Sequence, residues 1–417
     1  MITLRNFIRS ALILSILLLP LAHLKLHIFG IPLYSIELPI LLACIAYGYG
    51  WRKKILLPAR INFRSHFFIG SMLFFGGAVL SFVANPFSLT GLGMLKTWFF
   101  FPLLFTWLWV EMAPNNDDVK YILLAWLSTT VIGSLVSMIY FIGGVLTYDG
   151  RLAGWYTSPN YLAFFLAPGI VLTFYFSVHP FFVNKKKYQY LFYIAFVPLL
   201  VALFLTHSYG VWMGIVIASL VLLFLDKTIA VSWRKQWVAT GIFAILCGAF
   251  IFFESGSVKW QTLALLEERS SFASRMMIWK VALRGIAEHP IFGIGIGRFQ
   301  EVYLSYQQYF PPYLEWAVPE PHNLYFSLWL ETGIIGLLGF MYLVGAWCIK
   351  IINIVFSHAS GTTQSTATLL TALLVLPLII GFIDTPFFKT DLIFMFWCSV
   401  ALGIGVFNTS GTNTQGS

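Results

Sequence analysis

Charge is scarce in this chain: of 417 residues only 10% are Asp, Glu, Lys or Arg, against 59% hydrophobic, and mean hydropathy is +0.84. A soluble globular chain carries about 25% charged residues, so that class is excluded. Cysteine is scarce too. Cys44, Cys247, Cys348 and Cys398 all fall inside apolar runs without metal-ligand spacing, and they read as packing residues. No Asp-x-Asp motif falls in a segment expected outside the membrane, and no soluble domain is large enough to hold a nucleotide sugar. Internal repeats and low-complexity segments are missing as well. The first apolar run follows Arg5 and Arg9 without a small-residue cleavage site, so it is expected as a span and not as a removed signal.

Apolar runs long enough to cross a bilayer, about 20 residues each, recur from end to end. Twelve spans are expected, near 8–26, 32–50, 67–86, 96–113, 120–144, 160–180, 189–206, 210–226, 237–254, 333–356, 367–388 and 391–408. The linkers alternate in character. Arg52, Lys53, Lys54, Arg60 and Arg64 follow span two, Lys185, Lys186 and Lys187 follow span six, and Lys227, Arg234 and Lys235 follow span eight. The positive-inside rule then puts both termini in the cytoplasm. It also accounts for the net charge of +9 without nucleic acid. The expected fold is an all-α polytopic membrane protein forming one integral domain over 1–417. A large extracytoplasmic loop lies at 255–321, and a polar tail at 409–417 is expected to be disordered.

Within that loop, Ser271 to Glu288 has amphipathic helical spacing. Phe272, Met276, Trp279, Ala282 and Ile286 are expected on one face, and Arg275 and Arg284 off it. Such a helix could lie along the membrane plane. Gly293, Gly295 and Gly297 have the spacing of a dinucleotide-binding loop, but they follow a helix with no strand before them, so they are read as a tight turn. The loop ends at Pro319-Glu320-Pro321-His322-Asn323. Proline on both sides of Glu320 keeps the approach extended, and a helix can start near His322 and run to Gly333. This puts an imidazole at a membrane surface, as a candidate base. A cap or an interfacial anchor is the alternative reading of His322.

Charges in or beside spans are costly and are therefore functional candidates. Glu37, Lys96, Asp149, Arg151, Arg275, His322, Glu331, Asp384 and Lys389 all map to the outer half or outer surface. Structural ion pairs or snorkelling cations are the favoured reading for Lys25, Glu37 and Lys389. Trp279, Trp316 and Trp329 suit the interface.

The motifs Arg275-x-x-x-Trp279, Pro290-x-x-Gly293-x-Gly295-x-Gly297-x-Phe299, His322-Asn323 and Glu331-x-Gly333-x-x-Gly336 together resemble the O-antigen ligase and O-antigen polymerase superfamily. Upstream, Arg151-x-x-Gly154 and Pro159-Asn160-x-x-Ala163 look like the same family's loop and helix start. One departure is the turn Ser208-Tyr209-Gly210, where family members usually have Ser-Arg-Gly. Another cation, Arg151 or Lys96, would then stand in, or the subfamily differs.

The resemblance implies a GT-C-like glycosyltransferase of the bacterial cytoplasmic (inner) membrane. Its active site would face the periplasm, so that 255–321 is a periplasmic loop. The donor would be a glycan on undecaprenyl diphosphate and the acceptor lipid A-core or another glycan, with no cofactor and no metal. With that donor, a leaving diphosphate needs bidentate cations. Arg275, then Arg151 and Lys96, are assigned to it, and His322 to taking the acceptor's proton. Asn323, Glu331, Trp279, Asn160, Tyr209 and Asp384 are expected in support. Within the family, an O-antigen ligase of lipopolysaccharide biosynthesis is favoured over a polymerase. A polyprenyl-linked glycan flippase is the alternative of another class.

Overall fold

The computed structural model describes residues 2–28, 31–56, 65–178, 186–226, 271–310, 317–356 and 361–412. The expected span at 237–254, the loop residues 255–270, Cys247 and Trp316 lie outside them. The chain opens with α1 (Ile2–Leu17), a hairpin of β1 (Lys25–Ile28) and β2 (Ile31–Tyr34), α2 (Glu37–Arg52) and α3 (His66–Ala84). A continuous rod follows, made of α4 (Leu89–Met94), a π-helical stretch (Leu95–Phe100) and α5 (Phe101–Glu111). Then come α6 (Asn116–Ile142), α7 (Pro159–Val178), α8 (Lys186–Leu205) and α9 (Tyr209–Leu225). In the outer-loop region are α10 (Ser271–Glu288) and α11 (Phe299–Tyr306). The chain ends in α12 (Leu324–Phe356), α13 (Gly361–Ile380) and α14 (Thr390–Thr412).

The protein is a mostly helical, multi-pass membrane protein. Among the described residues, six helices are long and apolar enough to cross a bilayer: His66–Ala84, Leu89–Glu111, Asn116–Ile142, Pro159–Ser177, Leu324–Phe356 and Thr363–Ile380. Tyr190–Leu205, Tyr209–Leu225 and Thr390–Val406 are apolar but shorter.

Two expectations are corrected here. The first span does not reach residue 26, because α1 ends at Leu17 and the chain turns through Leu19–Leu21 into the hairpin. Lys25 pairs with Tyr34 and Leu26 with Leu33 in its antiparallel ladder. The period-two pattern of 25–34 is too short to stand out beside apolar spans. The apolar face of α10 is also rotated from the one read from spacing. Met277, Ile278, Val281, Ala282 and Ile286 are buried, whereas Phe272 and Met276 are exposed. The buried set faces Ile294, Phe299, Tyr303, Val318 and Leu330, which together form a small core separate from that of the bundle.

Helix ends follow local chemistry. The Asn115 side chain and that of Asp118 form a reciprocal capping box at α6. Arg9 joins it, with its guanidinium 2.9 Å from Asp118 and donating to Met112 O at 2.7 Å. Between α3 and α12 the backbones approach closely. A Cβ on Gly77 would meet Gly336 N at 2.2 Å, so only the bare backbone allows this contact.

The long helix α12 is broken at Gly333, whose φ of 66° and ψ of −178° lie in a region open essentially to glycine. The break frees backbone groups that the Gly-rich turn takes up. Ile334 N donates to Ile291 O at 3.1 Å, and Ile294 N donates to Leu330 O at 2.8 Å. The Glu331 carboxylate accepts from Gly297 N. The glycines of 293–297 therefore serve as a dock for a broken helix.

Candidate active site

Five segments meet around one buried carboxylate. They are the loop before α7, the turn between α8 and α9, the start of α10, the approach to α12, and the α13–α14 connection. Asp384 in the last of these is the hub. It is buried, and all of its acceptor capacity is used. Oδ1 accepts from Thr385 N at 2.9 Å and lies 2.9 Å from His322 Nδ1. Oδ2 accepts from Asn160 Nδ2 at 2.7 Å and lies 3.3 Å from an Arg275 η-nitrogen. Burial pushes a carboxyl's pKa up, but here the His322 imidazole, the Arg275 guanidinium and Thr385 N–H win. They hold Asp384 well below the usual carboxylate range.

With Asp384 ionised, the hydrogen on the shared line belongs to His322 Nδ1, and Nε2 is the ring nitrogen left for another partner. The His322 backbone is at φ 49°, a left-handed value costly for a residue with a Cβ. Its carbonyl accepts from Trp279 Nε1 at 3.2 Å. Helix capping is done by the next residue: Asn323 Oδ1 accepts from Tyr325 N and Phe326 N at 3.0 and 3.1 Å. The helix accordingly starts at Leu324, and the His322 side chain is left to Asp384.

Arg275 projects from the start of α10, where its Nε donates to Ile383 O at 2.8 Å. Arg151 reaches the same network from the other side. Its Nε donates to Thr206 O at 2.8 Å and an η-nitrogen donates to Asn160 Oδ1 at 2.9 Å. Ser208 Oγ donates to the same Asn160 oxygen at 2.6 Å. Burial lowers the Arg151 pKa, opposed by Asp149 at 3.6 Å and by Asp384. The guanidinium of Arg151 thus packs against the Ser208-Tyr209-Gly210 turn. Asn160 links the two halves, its oxygen toward Arg151 and Ser208 and its amide nitrogen toward Asp384.

The other expected residues are placed differently. The Lys96 ammonium lies 2.6 Å from the fully buried Glu37 carboxylate, donates to Pro32 O at 2.6 Å, and sits over the Tyr34 and Phe101 rings. These partners hold it in a structural ion pair beside the hairpin, and none of them belongs to the Asp384 network. Glu331 holds the Gly-rich turn and not the polar hub. Lys389, read as an ion-pair or snorkelling cation, lies 3.3 Å from Glu320 and 4.4 Å over the Tyr161 ring. Ser208 and Glu320 join this network without a sequence signal that marks them as site residues. The proline pair around Glu320 signalled its backbone but not its burial.

Residues 194–341 match the family model described as O-antigen ligase. No curated protein matches the chain. The matched segment holds Ser208, Arg275 and His322, and folding adds Arg151, Asn160 and Asp384 to them from outside it. The match over 194–341 supports the resemblance of the chain's motifs to the O-antigen ligase and polymerase superfamily.

Proposed function

We propose that this protein is an inverting, metal-independent glycosyltransferase acting at the outer face of the bacterial inner membrane. It would transfer a glycan from undecaprenyl diphosphate to an acceptor hydroxyl, in the manner of an O-antigen ligase acting on lipid A-core. The observation that carries this is the His322–Asp384–Arg275 arrangement. A base with an anchored imidazole and a guanidinium for a leaving diphosphate share one buried carboxylate. In this reading twelve helices cross the membrane in a GT-C-like fold, both termini are cytoplasmic, and the polar hub faces the periplasm.

The acceptor oxygen attacks the anomeric carbon on the face opposite the diphosphate. Its proton passes to His322 Nε2, while Asp384 steadies the imidazolium that forms. The bond from the anomeric carbon to the diphosphate oxygen breaks, and the diphosphate leaves with the electron pair. Arg275 and Arg151 compensate its developing charge through paired N–H donors. Tyr209 in place of the usual arginine favours keeping a second reading in which the acceptor is another glycan repeat and the enzyme is a polymerase.

The test is reconstitution of purified protein with undecaprenyl diphosphate-linked glycan and lipid A-core, for the wild type and His322→Ala. Transfer to lipid A-core that the substitution abolishes supports the ligase. Glycan growth on its own carrier supports the polymerase. Folded protein that transfers to neither acceptor overturns both and directs attention to flipping across vesicles.

A further inference from the structure

His322 keeps a left-handed backbone that its own side chain disfavours. Such a conformation persists only where several contacts fix the chain on both sides. On the C-terminal side, Asn323 Nδ2 donates to Phe382 O at 2.9 Å and Leu324 N donates to Gly381 O at 2.7 Å. On the N-terminal side, the flanking prolines deny the backbone N–H at 319 and 321, so a side chain has to provide the anchor. Glu320 does so. It is buried at 8% exposure, its carboxylate lies 3.3 Å from Lys389 Nζ, and it is hydrogen-bonded to Tyr161. Lys389 belongs to the same connection as Asp384. The segments carrying His322 and Asp384 are therefore tied on both sides of the histidine, at and after it through His322–Asp384 and the bonds to Phe382 and Gly381, and before it through a second tie, Glu320–Lys389. Tyr161, beside Asn160 on α7, sits under the second tie with its ring 4.4 Å from the ammonium.

We infer that Glu320, paired with Lys389 and seated on Tyr161, is a positioning residue that sets the direction of His322 Nε2 toward the acceptor. This rests on His322 being the base. A carboxylate brought into the interior beside the reacting centre costs desolvation that a surface staple would not. An apolar side chain would fill the same space, but it would not fix the distance to the Asp384 connection. The cation is one-third exposed, at 32%, whereas its partner's carboxylate is at 11%. Removing one member is therefore unlike removing the other.

The experiment uses the reconstituted full-length protein with lipid-linked donor and the acceptor that the wild type accepts. Glu320→Gln keeps shape and the Tyr161 hydrogen bond while removing the charge. It is expected to lower kcat about 10- to 100-fold, the scale of an ångström-sized misplacement, with the KM for donor and the melting midpoint essentially unchanged. Lys389→Arg should keep wild-type kcat. Lys389→Met should lose more than Glu320→Gln, because it strands a buried carboxylate, and the Glu320→Gln/Lys389→Met double variant should recover part of that loss. Wild-type kcat in Glu320→Gln, or a loss confined to KM, overturns the inference while leaving the base assignment intact if His322→Ala is inactive. Normal transfer by His322→Ala overturns both.

Discussion

Gly333→Ala is the sharpest probe of how the site is held together. The glycine breaks α12 at φ 66° and ψ −178°, and a side chain in that region costs about 1–3 kcal/mol. A Cβ there would lie 2.2 Å from Ile291 O and 2.9 Å from the Phe292 Cα, both backbone atoms of the Gly-rich turn. The turn has to withdraw, and with it go the hydrogen bonds Ile334 N to Ile291 O and Ile294 N to Leu330 O. At about 1 kcal/mol each, these bring the expected loss to about 3–5 kcal/mol. The control is on the same helix. A Cβ on Gly345 meets nothing within 4 Å, and alanine inside a helix is better than glycine by roughly 0.5–1 kcal/mol. Unfolding in mixed detergent micelles, followed by tryptophan fluorescence, should show Gly333→Ala destabilised and Gly345→Ala neutral or stabilised. Transfer activity should fall in the former, since α10 carries Arg275 and reaches the site through the same dock. Equal unfolding curves and equal rates for the two variants would refute the claim that the turn and the helix break are one unit.

Other expectations follow from the ion pairs and the backbone. Lys96→Met leaves the fully buried Glu37 without its cation. It should destabilise by about 2–4 kcal/mol, reduced because Lys96 keeps some solvent contact, with the donor KM unaltered; a raised KM with unchanged stability would return Lys96 to the substrate site. Asp384 has a folded pKa below its unfolded value. Its contribution is therefore present above about pH 4 and lost as pH falls through the folded value. The gap in unfolding free energy between wild type and Asp384→Asn should be full at pH 7 and shrink in acid, which titrated unfolding curves would measure. At His322, with φ 49°, glycine relieves strain of about 1–2 kcal/mol. His322→Gly should thus melt above His322→Ala although both lack the base, and identical midpoints would argue against the strained backbone.

Much of this architecture could be read from composition. Apolar length identified the helices from α3 to α9 and from α12 to α14, since a bilayer needs uninterrupted apolar runs. The resemblance singled out His322, Arg275, Arg151 and Asn160, which converge on Asp384. What escaped the sequence depends on packing. Lys96 and Arg151 both looked like cations at the outer end, and nothing local reveals that a fully buried Glu37 engages the first while Asn160 engages the second. Spacing does not single out the buried face of α10, because Phe272 and Met276 match it as well as Met277 and Ile278 do. The decision rests with Leu330 and Tyr303, distant in sequence from the helix start. The hairpin at 25–34 was hidden between two apolar runs. Asn323, not His322, turned out to cap α12, a distinction of one residue that frees the imidazole.

The two cores have a consequence for how the site can rearrange. The first turns of α12 present Leu324 and Leu328 to the bundle's core and Leu330 to the smaller one, so a single stretch of helix is a party wall between them. Arg275 is rooted on one side of that wall and the Asp384 connection on the other. A dianion that draws the guanidinium from Asp384 therefore has to swing one side chain and separates no packed surface. Under the proposed function, rearrangement at the site would then be a change of the Arg275 rotamer that breaks its bonds to Asp384 and Ile383 O, with both cores left intact.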